Sequence, residues 1–283
     1  MAREIRSIRA AALEALGSFR LYEFAPLAWI LVAELAFLSL AMNLGAAWGM
    51  STAGSLSAAL GGEGVLHYPD FYAFLPNLMS DVDAALYVLA GSVLIPLLIL
   101  RVLQPIDPAS FPPGSTGARV RQAILPVLAG TILWVLLTLG WQWVLSQPAV
   151  MKGLRAVFRG GFVGAAGITA VSLVVGYAIW SLFVYIPAVA VQPGRGFGSS
   201  LVGGLREGLS NFFPTLLVVI GLQLPAAAIL FVLQVMGAFL VRQIQPEIIG
   251  VLIGLGAVLS ILATYFIYSA AARYYQARHG EVA

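Results

Sequence analysis

Six apolar runs of membrane-crossing length limit what this chain can fold into. They cover residues 26–46, 83–100, 122–145, 162–190, 213–241 and 248–271, and about 20 apolar residues are what a helix needs to cross a hydrocarbon core roughly 30 Å thick. Backbone groups facing lipid must be hydrogen-bonded within their own segment. The predicted fold class is therefore all-α: an integral membrane six-helix bundle with short amphipathic interfacial helices, forming one membrane domain over 1–283. Composition agrees, since 60% of residues are hydrophobic and only 10% charged, against about 25% charged in soluble domains. Pro187 and Pro225 inside two long runs, and Pro96 in the second, predict kinks or early helix ends. With no cysteine in the chain, disulfides, thiolate metal sites and Cys nucleophiles are excluded. A net charge of +3 is too small to imply nucleic acid as a partner.

Basic residues orient the bundle, because Lys and Arg are retained on the cytoplasmic side. With the N-terminus inside, Arg3, Arg6, Arg9, Arg20, Arg101, Arg119, Arg121, Arg195, Arg206, Arg273 and Arg278 fall on the inner side. That leaves only Lys152, Arg155, Arg159 and Arg242 outside, so both termini are expected in the cytoplasm. The outer loop 47–82 has no Lys or Arg, in keeping with this orientation, and residues 151–160 read as a short amphipathic helix at the outer surface. The segment 1–22 carries mixed charge and reads as an uncleaved interfacial helix. Ile5, Ile8, Ala12, Leu13 and Leu16 would share its apolar face, with Arg6, Arg9 and Glu14 in water.

Three runs that cross from inside to outside share a lead-in: SIRAAALEALGSFRLYEFAP over 7–26, STGARVRQAILP over 115–126 and SSLVGGLREGLSNFFP over 199–214. Each starts small and polar, carries Arg in an amphipathic turn and ends on Pro, which suits a first helical turn. Three repeated helical hairpins describe the pattern most simply. Arg6, Arg9, Arg20, Arg119, Arg121 and Arg206 are then the candidate lipid head-group contacts, each worth about 1 kcal/mol against an anionic leaflet.

The stretch YIPAVAVQPGRGFGSSLVGGLREGLSNFF over 185–213 and the closing TYFIYSAAARYYQARHGE over 264–281 carry a resemblance. Residues 115–283 are similar to the membrane domain attached to some bacterial glycerophosphoryl diester phosphodiesterases. The resemblance implies a place in the bacterial inner membrane and a non-catalytic role, because the phosphodiesterase works through a separate soluble barrel with no counterpart here.

Chemistry-bearing residues within the runs are few. Glu34 lies near mid-bilayer, where a charge costs about 2.5–3.5 kcal/mol on insertion scales. It is read either as a proton or cation site or as a neutral acid tying helices together, with Gln223, Gln234 and Ser172 as hydrogen-bond candidates. Asp81 and Asp83, with Asn77 and Ser80, are read as the outer start of the second span, there either to hold a hard cation or to cap a helix N-terminus. His67 and His279 lie outside the runs, so no haem or zinc site is expected within the membrane and no cofactor is assigned. Tyr68, Phe71 and Tyr72 read as anchors of the outer loop at the interface. GxxxG pairs at Gly45/Gly49, Gly160/Gly164 and Gly250/Gly254 predict close helix packing within the chain.

No intramembrane Ser–His pair, Asp pair or buried His is available for the known membrane hydrolases, so the chain is not expected to be an enzyme. Two roles remain. One is a non-enzymatic membrane protein that binds lipid or serves as a subunit or scaffold of a larger complex, with membrane lipids and a membrane-protein partner or second copy as its partners. The other is a permease subunit for a lipid-like or apolar substrate, working with a separate ATPase.

Overall fold

The computed structural model describes residues 2–43, 54–62, 70–158, 161–243, 245 and 247–279. Helices account for all the regular structure among them, and six of these are long and apolar enough to cross a membrane. In chain order they are α1 (Ala2–Gly17), α2 (Leu21–Met42), α3 (Ser55–Gly61), α4 (Asp70–Leu86), a π-helical turn (Tyr87–Gly91), α5 (Ser92–Leu103), α6 (Thr116–Ser146), α7 (Pro148–Val157), α8 (Gly161–Phe183), α9 (Ile186–Ala190), α10 (Phe197–Ser210), α11 (Phe212–Gln243) and α12 (Ile248–His279).

The chain is therefore an all-α, six-span membrane protein. The spans are α2, the composite α4–α5 rod over Phe71–Leu103, α6, α8 with α9, α11 and α12. The second span begins 12 residues before the apolar run that marked it. Its first turns carry their apolar side chains on one stripe, with Phe71, Leu75 and Leu78 buried and Ala73, Asn77 and Ser80 exposed. A helix with one apolar face is too polar on average to read as a membrane run. The expected outer loop 47–82 thus contributes α3 and most of α4, and Phe71 packs in the core instead of anchoring a loop.

Pro187 interrupts a span, whereas Pro26, Pro76 and Pro126 lie inside helices that continue past them. Within the fourth span α8 stops at Phe183, and Pro187 stands in the first turn of α9, since proline has no N–H to give the carbonyl four residues back, that of Phe183, and its ring clashes with it. Pro96 and Pro225 lie inside α5 and α11 without ending them. The three lead-ins also differ. α1 is set off from α2 by Ser18–Arg20, and α10 from α11 by Asn211, but residues 116–126 run straight into α6. Arg121, Gln122, Ala123, Ile124 and Leu125 favour helix throughout and offer no break, so two of the three lead-ins form separate helices.

α1 packs against α12 through Ile8, Ala11, Ala12 and Ala15, whereas Leu13 and Leu16 face outward. The expected apolar face is thus divided: alanines meet protein, and leucines are left for lipid. Glu14 accepts a hydrogen bond from Arg273 of α12 at 2.6 Å, which places the first and last described helices side by side.

Packing forms two apolar layers. One, near the end that holds α1, gathers Leu27, Ile30, Leu98, Leu103, Tyr185 and Tyr265; the other gathers Leu38, Phe71, Leu75, Leu78, Leu233 and Ile253. Close approaches depend on glycine. Added side chains at Gly250 and Gly254 would meet Met42, Leu38 and Leu35 of α2, so this pair packs within the chain. Gly204 and Gly208 on α10 hold the same spacing against Ile186 and Leu182, a pair hidden within a helix that reads as polar surface.

Candidate functional site

Between the two apolar layers the helices diverge around a cavity of about 400 Å³ that every span lines. The register of each span explains the gap. On α2, Glu34 falls between Ile30 of one layer and Leu38 of the other. On the second span, Asp83 falls between Met79 and Tyr87, and on α11 Gln223 falls between Val219 and Leu233. Where an apolar side chain would have filled the middle, these positions carry polar groups or, at Gly176, no side chain at all.

The polar groups form one connected wall. The Glu34 and Asp83 carboxyls face each other within hydrogen-bond reach. Glu34 is 4% exposed, and its Oε1 has no hydrogen-bond partner. Tyr87 lies within electrostatic reach of both acids and donates to Thr264 Oγ1 at 3.3 Å. Gln223 Nε2 donates to the Ser260 carbonyl and to Thr264 Oγ1, both at 3.5 Å. Trp180 Nε1 donates to Tyr268 Oη at 3.4 Å, and the Trp134 and Trp180 ring centres are 6.5 Å apart. Among the described residues no three His, Asp or Glu side chains converge, and none of the cavity-lining residues is Lys, Arg or His.

Of the residues singled out by sequence, Glu34, Gln223, Gln234 and Ser172 all line this cavity. The neighbour of Glu34 is nevertheless Asp83, and Gln223 donates to Ser260 and Thr264 of α12. Asp81 and Asp83 stand 11 and 13 residues beyond the start of α4 at Asp70, so neither caps its N-terminus. Tyr87, which opens the π-helical turn, escaped the sequence reading, and so did the approach of Asp83, at the first position of the apolar run and in the last turns of the amphipathic helix, to Glu34.

The six arginines divide. Arg9, Arg20, Arg121 and Arg206 are exposed, and the side chain of Arg6 lies outside the described residues. Arg119 is taken up by the protein: its guanidinium donates to Ser115 Oγ, to the Val191 carbonyl at 3.0 Å and to the Ser110 carbonyl, and stacks 4.8 Å over the Phe111 ring. His67, Tyr68, Gly45, Gly49 and Gly160 are outside the described residues, whereas His279 stacks on Tyr275 with ring centres 4.4 Å apart. Trp29 and Trp143 are 70% and 66% exposed, as befits lipid-facing anchors.

Polar contacts secure the end that carries α1. Buried Glu23 accepts from Tyr265 Oη at 2.9 Å, Arg101 donates to the Tyr22 carbonyl at 2.7 Å, and Tyr274 donates to Asn211 Oδ1 at 2.8 Å. Asp107, in the connection between α5 and α6, accepts from the Ser110 amide at 3.0 Å and from Gln276 Nε2 at 2.8 Å. The Ser110 bonds hold its carboxyl below the usual carboxylate range. Comparison with protein-family models, with curated proteins and with solved structures gave no match in any of the three.

Proposed function

We propose that this six-span protein is a membrane-embedded, non-enzymatic binding protein that takes an apolar or lipid-like molecule into its mid-depth cavity, as a permease or the substrate-holding subunit of one. The cavity carries the proposal. About 400 Å³ at the centre of a bundle falls within the roughly 300–1,000 Å³ of small-molecule sites, and its walls combine apolar and aromatic surface with a few convergent polar groups. A hydrophilic solute would find few partners along such a path, whereas an apolar body with one polar end fits it. The role needs no chemistry from the chain, consistent with the resemblance to a non-catalytic membrane domain.

The excess of Arg on one side supports an inner-membrane orientation with both termini cytoplasmic. In that orientation exposed Arg9, Arg20, Arg121 and Arg206 would meet the anionic head groups of the inner leaflet. α6 and α11 are the least enclosed spans, with 22% and 28% of their most apolar windows buried, and are the surfaces on which a membrane-protein partner or a second copy would sit.

The test is to purify the chain in mild detergent, extract it and identify bound apolar molecules by mass spectrometry, beside a Gly176→Leu variant. Gly176 lines the cavity, and an added Cβ there meets no atom within 4 Å, so leucine fills space without a clash at its root. Bound molecules should be present in the wild type and depleted in the variant. Wild-type protein free of any such molecule, or a variant that retains its full load, refutes the reading.

A further inference from the structure

Glu34 and Asp83 form a pair of facing carboxyls with no counter-charge among the described residues that line the cavity. Two negative charges held this close in an apolar surround repel strongly, and a buried charge without a partner is costly to keep. Among the described residues no cationic side chain lines the cavity, which leaves the compensating charge to a proton or a bound cation. Glu34 Oε1, buried yet unbonded, marks where a donor is missing.

The surroundings select the kind of cation. A hard metal ion would want six or more oxygen ligands, and among the described residues no third carboxyl converges with the pair: Asp81 lines the same cavity without joining it. Beyond the acids the wall is aromatic, with Tyr87, Trp134, Trp180 and Tyr268 along it, and ring faces attract cations when both are desolvated. The space also far exceeds that of a bare ion.

We propose that Glu34 and Asp83 bind a monovalent organic cation with an apolar body, such as a lipophilic ammonium or phosphonium, in exchange for one proton. The assignment names the substrate class for the cavity reading above and rests on it. Charge balances in the exchange: two carboxyls sharing one proton carry a single negative charge, and so do two carboxylates holding one monovalent cation. The proton leaves to water as the cation enters, so loading changes no net charge within the membrane. The other titratable groups on the cavity wall are Asp81 on α4, Tyr87, Tyr177 on α8 and Tyr268 on α12; α6 and α11 bring none to it. The exchange therefore centres on the acid pair.

The test uses the full chain in lipid nanodiscs, with empty discs as the blank. Binding is followed by quenching of tryptophan fluorescence with tetraphenylphosphonium, whose charge does not titrate, and with neutral triphenylphosphine oxide. Cation affinity should rise about tenfold per pH unit over the range in which the empty pair still holds its shared proton, and level off above it. About one proton should appear in weakly buffered solution per cation bound, a wild-type measurement that needs no variant. Glu34→Gln and Asp83→Asn should each weaken the cation at least tenfold, by order-of-magnitude linkage, flatten its pH dependence and leave the neutral probe unchanged. If both probes bind without pH dependence or proton release, the proton-exchange site is refuted while the apolar cavity stands. If only the cation binds, with its proton, the site stands and the broader apolar reading fails. Binding of neither refutes both.

Discussion

Gly208→Ala should destabilise the protein although it improves the helix propensity of α10. A methyl group built at Gly208 collides with the carbonyl oxygen of Leu182 and stands 2.8 Å from its carbonyl carbon. These are backbone atoms at the end of α8, so no rotamer change relieves the contact and α10 must move away. Overpacking of this kind costs about 1–3 kcal/mol, and exchange of an interior helical Gly for Ala returns about 0.8–1.0 kcal/mol. Because the clash is with backbone and cannot be relieved by a rotamer change, the upper end of the overpacking range applies, and the expected net loss is about 2 kcal/mol, roughly thirtyfold in the folding equilibrium. Gly198 on the same helix has nothing within 4 Å of an added Cβ, so Gly198→Ala should be neutral or mildly stabilising. Reversible unfolding in mixed micelles of increasing sodium dodecyl sulfate content, read by tryptophan fluorescence, compares the two. A Gly208→Ala protein as stable as wild type, or a Gly198→Ala protein equally weakened, would show that α10 is not seated on Leu182.

Asp107 gives a pH prediction. Its folded-state pKa is lowered by the Ser110 bonds, so its contribution is present above the ordinary carboxylate value and lost as pH falls through the lower folded value. Asp107→Asn should remove that acid-side loss, visible as a flatter melting temperature below about pH 4 in scanning fluorimetry. The arginines of the α6 lead-in should separate by role. Arg119→Ala breaks three hydrogen bonds and a ring stack and should lower thermal stability. Arg121→Ala should leave stability unchanged and weaken the preference for anionic over zwitterionic surrounding lipid by about 1 kcal/mol, measured by lipid exchange in reconstituted vesicles.

The six spans were legible because the hydrocarbon core demands long apolar runs, and Glu34 stood out because it interrupts one. Its pairing with Asp83 did not. Asp83 belongs to a helix whose first turns bury only a stripe of Phe71, Leu75 and Leu78, so Asp81 and Asp83 looked like the rim of a loop, and only the fold brings one of them to Glu34. Gly204 and Gly208 were missed for a related reason: GLREG reads as solvated helix until Leu182 is seen pressing on it. The division of α1 into an alanine face and a leucine face was invisible because periodicity reports that a side chain is apolar, not whether protein or lipid will cover it.

The contact between α1 and α12 also sets an order of events during biosynthesis. Glu14 and Arg273 are separated by 259 positions, and at about 5–20 residues per second a ribosome takes roughly 13–50 s to span that distance. For all of that interval the alanine stripe of α1 has emerged while its protein partner has not been made. The nascent helix must rest on head groups or on a chaperone, exposing a face that the finished protein never shows. Translation rate and lipid composition would then tune the yield of this protein through its first helix.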